Sequence, residues 1–430
     1  LQEVIAHYDT FPFPRVDWLS EPDPSIDYVD VLNYDLGRCA NSPLPREIRI
    51  WVPGCGTRHA VALALRYKGA RILASDVSKR CLGISKDLAK GLKIKNIEYA
   101  WEDLAHSGHH NEFEFISCYG VLGYLDSPLE GLKRLRAALR RDGVLELMVN
   151  SRLRRYVPDL FHQVTKLFVS DPVNTPFKFN VVKRLIKAIL RSTRCRPLNP
   201  YLKEDIDALG LLKRNLPQFS TALLNPPERN FDLIELFDLI HRGGFSFIRF
   251  CNQHLWEISN YIHDPELLRM VQRLPEQTQY QLIYLLGGYN SPLFELYLQR
   301  KELKVKRRRC DTQMDLLLEI VPSRIKPEYR YRVSHNKVIS RKRAPLYRRV
   351  PKGLILDYGA DERYHLPPIT AKILKLSDGK NNVEQIIRKL CRSEGLSLKR
   401  YKAQLAGFIK GLFSPPTRLL FPQRCPSCKG

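Results

Sequence analysis

The chain has 430 residues, 44% of them hydrophobic, with 70 Lys+Arg against 45 Asp+Glu and a formal net charge of +25. That is enough apolar material for a large core and two or more domains. No run approaches the roughly 18 consecutive apolar residues of a membrane-spanning helix, and ten scattered cysteines read as reduced thiols of a cytoplasmic protein rather than a disulfide framework.

The chain begins at Leu1 rather than a methionine, so an N-terminal piece is expected to be missing. Residues 1 to 44 read as a cap, in which the aromatic and proline segment HYDTFPFPR at 7 to 15 lies over a ligand cleft. Ile48 to Asp76 (IRIWVPGCGTRHAVALALRYKGARILASD) then joins an apolar run, a Gly-x-Gly turn, a helix-period segment, a second apolar run and a terminal Asp. That is one nucleotide-binding β-α-β unit. Gly54 and Gly56 leave no side chain where the backbone turns sharply and approaches a ligand, and the following helix offers its unsatisfied N–H groups there. Asp76, at the end of the second strand, can accept hydrogen bonds from both hydroxyls of a ribose.

Asn96 to Trp101 reads as a third strand ending in Glu102-Asp103-Leu104, and Phe113 to Tyr119 as a fourth. A helix with Leu129, Leu132, Leu135, Ala138 and Leu139 on one face follows, and Asp142-Gly143 turns into a fifth strand, Val144 to Val149. This order resembles the class I S-adenosylmethionine (SAM)-dependent methyltransferases over about residues 45 to 152. The resemblance implies a Rossmann-like α/β sheet of seven strands in a domain spanning 45 to 305. It implies SAM as cofactor, with the Gly54-Cys55-Gly56-Thr57 turn under the methionine part, Asp76 on the ribose, Asp103 on the adenine and Leu104 as an apolar wall. Pro53, Arg58, Val77, Cys118 and Tyr119 complete the expected cofactor set. The pattern departs from the family at two places: Val52 stands where an acid is usual, and Arg58 follows Thr57 where a third glycine is expected. Arg58 either crowds the methionine part or pairs with its carboxylate.

Methyl transfer from a sulfonium needs chiefly positioning and exclusion of water, so no catalytic triad is expected. Tyr119, Tyr124 and Asn150 are the candidates for placing an acceptor, which is read as a small molecule or a peptide. A degenerate SAM-binding scaffold, or a polyanion- or RNA-binding protein with a methyltransferase-like core, is the alternative. His106, His109 and His110 have the spacing of an ordinary polar loop, and no metal site is expected.

Residues 152 to 230 and 252 to 290 read as helical insertions that cover substrate. Phe231 to Arg242 is an amphipathic helix, Phe245 to Cys251 a sixth strand and Leu293 to Arg300 an antiparallel seventh. Asn225-Pro226-Pro227-Glu228 resembles the Asn-Pro-Pro-aromatic tetrapeptide of amino-group methyltransferases. That motif follows the fourth strand and ends in an aromatic, so here the segment reads as a turn leading into a helix. The whole passage NPPERNFDLIELFDLI at 225 to 240 instead resembles the distal part of a bacterial methyltransferase group with largely unassigned substrates.

Charge is unevenly divided. Residues 1 to 150 hold 19 Lys+Arg and 20 Asp+Glu, and residues 300 to 352 hold 18 basic and 5 acidic. The second stretch, with a connector at 306 to 352, is expected to give weak, non-specific binding to polyanions, and Tyr329, Tyr331 and Tyr347 to offer rings for stacking. Residues 353 to 415 read as two short strands around Gly359-Ala360-Asp361 and three helices, an order that resembles the small winged-helix domain of the PqqD type. The tail, 416 to 430, carries a lone Cys425-x-x-Cys428, read as free thiols.

Overall fold

The structure, a computed structural model, describes residues 1–15, 17–21, 28, 31–36, 47–168, 175–192, 194, 223–303, 321–324, 328–334, 337–344, 347–350, 353–358, 362–412 and 420–424. Helix α1 (Gln2–Thr10) and strand β1 (Trp18–Glu21) precede the alternating run β2 (Arg49–Pro53), α2 (His59–Arg66), β3 (Arg71–Asp76), α3 (Lys79–Gly91), β4 (Ile97–Trp101) and β5 (Phe113–Tyr119). Then come α4 (Pro128–Ala138), β6 (Leu139–Val149), α5 (Arg152–Phe168), α6 (Thr175–Arg191), α7 (Leu233–Arg242), β7 (Phe245–Phe250), α8 (Pro265–Gln272), α9 (Glu276–Gly287) and β8 (Phe294–Arg300).

Seven strands form one sheet in the order β4-β3-β2-β5-β6-β8-β7. The first five pair in parallel, and β8 runs antiparallel to both β6 and β7. Helices cover both faces, so the central strand β2 is apolar on both sides. Ile50 and Val52 of β2 point into a cluster with Ala60 and Ala64 of α2, Phe115 and Val144. Trp51, between them, points into the opposite cluster with Leu132 and Leu135 of α4, Leu145 and Leu236. Ser78 caps α3 by accepting the Cys81 N–H at 3.0 Å, and Ser127 caps α4 through Glu130 N–H at 3.3 Å.

Strand order reverses direction between β2 and β5, which leaves a crevice at the carboxyl ends of the central strands. One expectation fails nearby. Asp142-Gly143 is not a turn before the fifth strand: β6 already begins at Leu139, and the two residues lie where its register against β5 shifts. A bulge absorbs the extra residues there without ending the strand.

Strands also occupy the stretch read as a connector: β9 (Val321–Arg324), β10 (Glu328–Ser334), β11 (Lys337–Ala344) and β12 (Tyr347–Val350). The amino-terminal β1 joins β10 and β11 in an antiparallel sheet whose inner side, Leu19, Tyr331 and Val333, is buried on Val61, Leu65, Leu88 and Ala89 of α2 and α3. This contact joins Leu19 to Tyr331, far apart in the chain, and leaves no trace in local periodicity. Beyond it, β12 pairs with β13 (Gly353–Tyr358), and β13 with β14 (Glu362–Leu366). Helices α10 (Ile369–Leu376), α11 (Val383–Ser393) and α12 (Leu398–Gly411) follow, and β15 (Leu420–Arg424) pairs with β9. Asn382 and Gln385 close a capping box at the start of α11. Gly359-Ala360-Asp361, the 304 to 309 basic run and the Cys425/Cys428 pair lie outside the described residues. Among the described residues no helix is long and apolar enough to cross a membrane.

Candidate active site

A cavity of about 990 Å³ is lined by the turns that follow β2, β3 and β5, by α2, and by residues of α1 and β1. At one end lies the glycine turn. Gly54 and Gly56 both have positive φ, 64° and 54°, a conformation that side chains disfavour. A Cβ at Gly54 would sit 2.2 Å from Val121 Cγ2, and one at Gly56 2.6 Å from the Phe13 carbonyl oxygen. The second contact shows how the N-terminal segment is seated. Thr57 N–H donates to the Phe13 carbonyl at 3.2 Å, and the Thr57 hydroxyl donates to the Pro14 carbonyl.

Asp76, 8% exposed, holds the turn from the other side. Its Oδ2 accepts the Gly56 N–H and its Oδ1 the Ser78 N–H, each at 2.8 Å. A carboxylate has about four acceptor positions, so both oxygens retain capacity toward the cavity they line. Burial raises the Asp76 pKa, and the N–H groups of Ser78 and Gly56 work against that rise. Val77, Asp103 and Leu104 also line this end. Asp103 is oriented by the Ala105 N–H at 3.0 Å and by His106 Nδ1 at 2.9 Å, and Leu104 is buried. Arg58 lines the cavity as the residue before α2, and the surrounding protein lowers its guanidinium pKa by desolvation.

Three expected cofactor residues do not present side chains to the cavity. Cys118 is fully buried in the cluster on the opposite face of the sheet, because alternation along β5 gives the cavity side to Ser117 and Tyr119. Pro53 is buried as the last residue of β2, and Thr57 is spent on the N-terminal segment. Nor do the loop histidines converge on a common ligand position. His109 lies between Glu102 and Glu112, at 3.3 Å from each, and packs edge-on against Trp51 and Phe113.

The other end is a polar cluster assembled from distant segments. Tyr8 of α1 and Tyr124 share a hydroxyl hydrogen bond of 3.0 Å. Asn225 Nδ2 reaches the Tyr124 hydroxyl at 3.1 Å and Glu228 Oε2 at 3.2 Å, while Asn150 Nδ2 donates to Glu228 Oε1 at 2.8 Å. Arg155 donates to Asn225 Oδ1 at 2.7 Å. The Asn225–Glu228 segment, read as a turn into a helix, is irregular chain that reaches α7 only at Leu233, and it forms a wall of the cavity through Glu228. It is fixed there by Arg229 N–H on the Gly123 carbonyl at 2.8 Å, a closeness only glycine permits, since a Cβ at Gly123 would lie 2.7 Å from the Arg229 oxygen. Burial raises the Glu228 pKa, and the Arg155 charge and the Asn150 hydrogen bond only partly offset it. Burial also lifts Tyr8 and Tyr124 well above the ordinary phenol range.

Tyr119 lines the cavity without joining this cluster. Its ring meets His59 edge-on at 4.7 Å, and its hydroxyl bonds Glu146 in the floor, where Ser117 and Tyr297 donate to the same carboxylate. Of the three acceptor candidates, Tyr124 and Asn150 therefore come together, and Tyr8, Arg155, Asn225 and Glu228 are the partners that sequence reasoning missed or set aside. The Asn-Pro-Pro spelling was the one available signal.

Residues 45–177 match the family described as a methyltransferase domain. An uncharacterised protein of Synechococcus sp. is 26% identical over 313 residues, covering 70% of this chain and 72% of that protein. Among solved structures, PKMT2 from Rickettsia typhi matches with a TM-score of 0.65 at 15% identity, covering 94% of this chain and 76% of that one. The same protein in complex with AdoHcy matches at 0.63, with 15% identity and coverage of 94% and 75%. Residues 45–177 thus match a methyltransferase domain, and the seven-stranded sheet that holds them has a Rossmann-like methyltransferase fold, as in the Rickettsia protein.

Proposed function

We propose that this chain transfers the methyl group of SAM to an amine, with Glu228 as the group that receives the amine's proton. The observation that carries this reading is the placement of Glu228, a carboxylate with a raised pKa, in the same cavity as the Gly54–Gly56 turn and Asp76. The cofactor end fits SAM. Two positive-φ glycines leave backbone where side chains would intrude, Asp76 keeps acceptor capacity for ribose hydroxyls, and Asp103 and Leu104 offer a polar edge and an apolar wall for adenine. Arg58 has the charge and position to pair with the amino-acid carboxylate. Bound there, SAM supplies an electrophilic methyl group on a sulfonium.

An ammonium entering the other end meets the Glu228 carboxylate and the oxygens of Tyr8 and Tyr124, with the Arg155 guanidinium held back on Asn225. Glu228 takes one proton, and its raised pKa narrows the gap to the amine. The nitrogen lone pair freed by Glu228 would then be available to the methyl group that bound SAM would supply, with the carbon–sulfur electron pair staying on sulfur. Tyr8 on α1 and the Phe13–Pro14 segment close over the site and exclude water. The fold likeness to the Rickettsia protein-lysine methyltransferase supports an amine carried on a polypeptide.

The test is transfer of tritium from labelled SAM to a lysine-containing peptide and to poly-L-lysine by the full chain. Recovery of labelled ε-N-methyllysine is expected. S-adenosylhomocysteine binding without label in any amine would overturn the acceptor class, and no binding at all would overturn the methyltransferase reading.

A further inference from the structure

Helix α1 buries none of its nine residues, yet Val4 and Tyr8, with Leu1 just before them, fall on one helical face and line the cavity. So short a helix is marginal without packing, and its place depends on a few specific bonds. The Phe13 and Pro14 carbonyls on Thr57 tether the chain after it. A tether alone leaves the helix free to tilt, and Asp9 removes that freedom. Asp9 Oδ1 accepts the Ser78 hydroxyl at 2.6 Å and the Arg80 N–H at 3.2 Å, and Arg80 Nη1 donates back to the Asp9 carbonyl at 2.8 Å. Ser78 and Arg80 stand at the start of α3, so the carboxylate also meets the positive end of that helix dipole. Ser78 is fully buried, and its N–H is one of the two that Asp76 accepts. One residue back in α1, the Tyr8 hydroxyl bonds that of Tyr124, and Asn225 donates to both Tyr124 and Glu228. Two bonded chains, Asp76–Ser78–Asp9 and Tyr8–Tyr124–Asn225–Glu228, therefore meet at the peptide link between Tyr8 and Asp9.

We infer that Asp9 is a positioning residue for the acceptor: it seats α1 on the start of α3 and thereby sets Tyr8 against Tyr124 at the far end of the cavity. This rests on the proposed methyltransferase reading for the reaction served, while the seat itself is independent of turnover. Asp9 is bonded beside Asp76, but its effect falls at the other end. Without it Asp76 keeps the N–H groups of Gly56 and Ser78, whereas Tyr8 loses the anchor next to it in the chain. An amine would then meet Glu228 with one wall of its pocket displaced.

The experiment compares the full chain with its Asp9→Ala and Asp9→Asn variants in three measurements: methyl transfer to a lysine-containing peptide, S-adenosylhomocysteine affinity, and hydrogen exchange of the amides from Ile5 to Phe11 with that ligand bound. In Asp9→Ala, exchange is expected to quicken about tenfold, as for loss of hydrogen bonds to a charged group. The kcat/KM for the peptide is expected to fall about 10- to 100-fold, the scale of a small misplacement, while S-adenosylhomocysteine affinity stays within about threefold. The melting temperature should hold, since α1 contributes no buried residue. Asn keeps an oxygen for Ser78 and Arg80, so Asp9→Asn should restore most of the exchange protection and of the transfer. Because Asp9 acts through Tyr8, Asp9→Ala/Tyr8→Phe should lose little more than the more damaging single change. Unchanged exchange in Asp9→Ala would overturn the proposal. So would a loss of S-adenosylhomocysteine affinity as large as the loss of transfer, which would assign Asp9 to the Asp76 end, or additive losses in the double variant. If the wild type binds S-adenosylhomocysteine and transfers no methyl group, the proposed function fails and the exchange rates alone decide the seat.

Discussion

The two ends of the cavity are built in different ways. The end proposed for the cofactor uses backbone geometry and a few residues at strand ends, Gly54, Gly56, Asp76, Asp103 and Leu104, all inside consecutive β-α units. The end proposed for the acceptor draws Tyr8, Tyr124, Asn150, Arg155, Asn225 and Glu228 from five separate segments and depends on side-chain hydrogen bonds between them. The first construction suits a ligand shared by a whole fold. The second can vary from chain to chain while the sheet stays the same, which places acceptor choice in the tertiary contacts.

Glu228→Gln should separate the two ends most sharply. It keeps the shape and removes the base, so methyl transfer to an amine is expected to fall by about 10²- to 10³-fold with S-adenosylhomocysteine affinity unchanged. In the wild type the rate should rise with pH through a transition above the ordinary glutamate range, and the variant should lose that transition. Stability moves the opposite way. Because folding raises the Glu228 pKa, the associated stabilisation is complete below the unfolded value and is lost as pH rises through the folded one. At neutral pH the ionised group is a net cost, while Gln, with one oxygen, forfeits the N–H donation of either Asn150 or Asn225, so the two effects oppose and the variant should melt close to the wild type.

Asp76→Ala acts on the other end. It should weaken S-adenosylhomocysteine by about 1.5 to 3 kcal/mol, the scale for hydrogen bonds to a charged group, as read by calorimetry. It also orphans the Gly56 and Ser78 N–H groups, so a fall in melting temperature should accompany the loss.

The same contrast explains what the sequence made legible. Strand order and the β-α-β unit were readable because Ile50 to Val52, Ile72 to Ala74 and Phe115 to Tyr119 are short apolar runs bounded by Gly, Asp and Ser. The face that Cys118 takes was not readable, because its position after an apolar run says only that it ends a strand, and the observed phase turns its side chain away from the cavity. Asn225–Glu228 was set aside because its motif stands after the wrong strand. The fold nevertheless returns it to the cavity through Gly123 and Asn150, contacts about a hundred residues apart or fewer that no periodicity encodes. The pairing of β1 with β10 was equally silent, since a four-residue strand next to prolines carries almost no pattern.

Gly56→Ala tests the joint between the ends, since the turn binds one and the Phe13 carbonyl secures the segment that carries Tyr8. A side chain at φ 54° and 2.6 Å from that oxygen should destabilise the protein by about 1 to 3 kcal/mol, seen as lower melting temperature and weaker S-adenosylhomocysteine binding. Arg58→Ala should have the smallest effect, a loss of about 1 kcal/mol in affinity for a ligand carrying the amino-acid carboxylate and none for adenosine. An equal loss for both ligands would mean that Arg58 supports the turn instead.

The most direct measurement is a crystal structure of the full chain with S-adenosylhomocysteine bound. The ribose is expected on Asp76, and the sulfur is expected to face the Tyr8–Tyr124–Glu228 cluster across a gap that one amino group fills. A sulfur directed at the Glu146 floor, or a ribose held away from Asp76, would contradict the account.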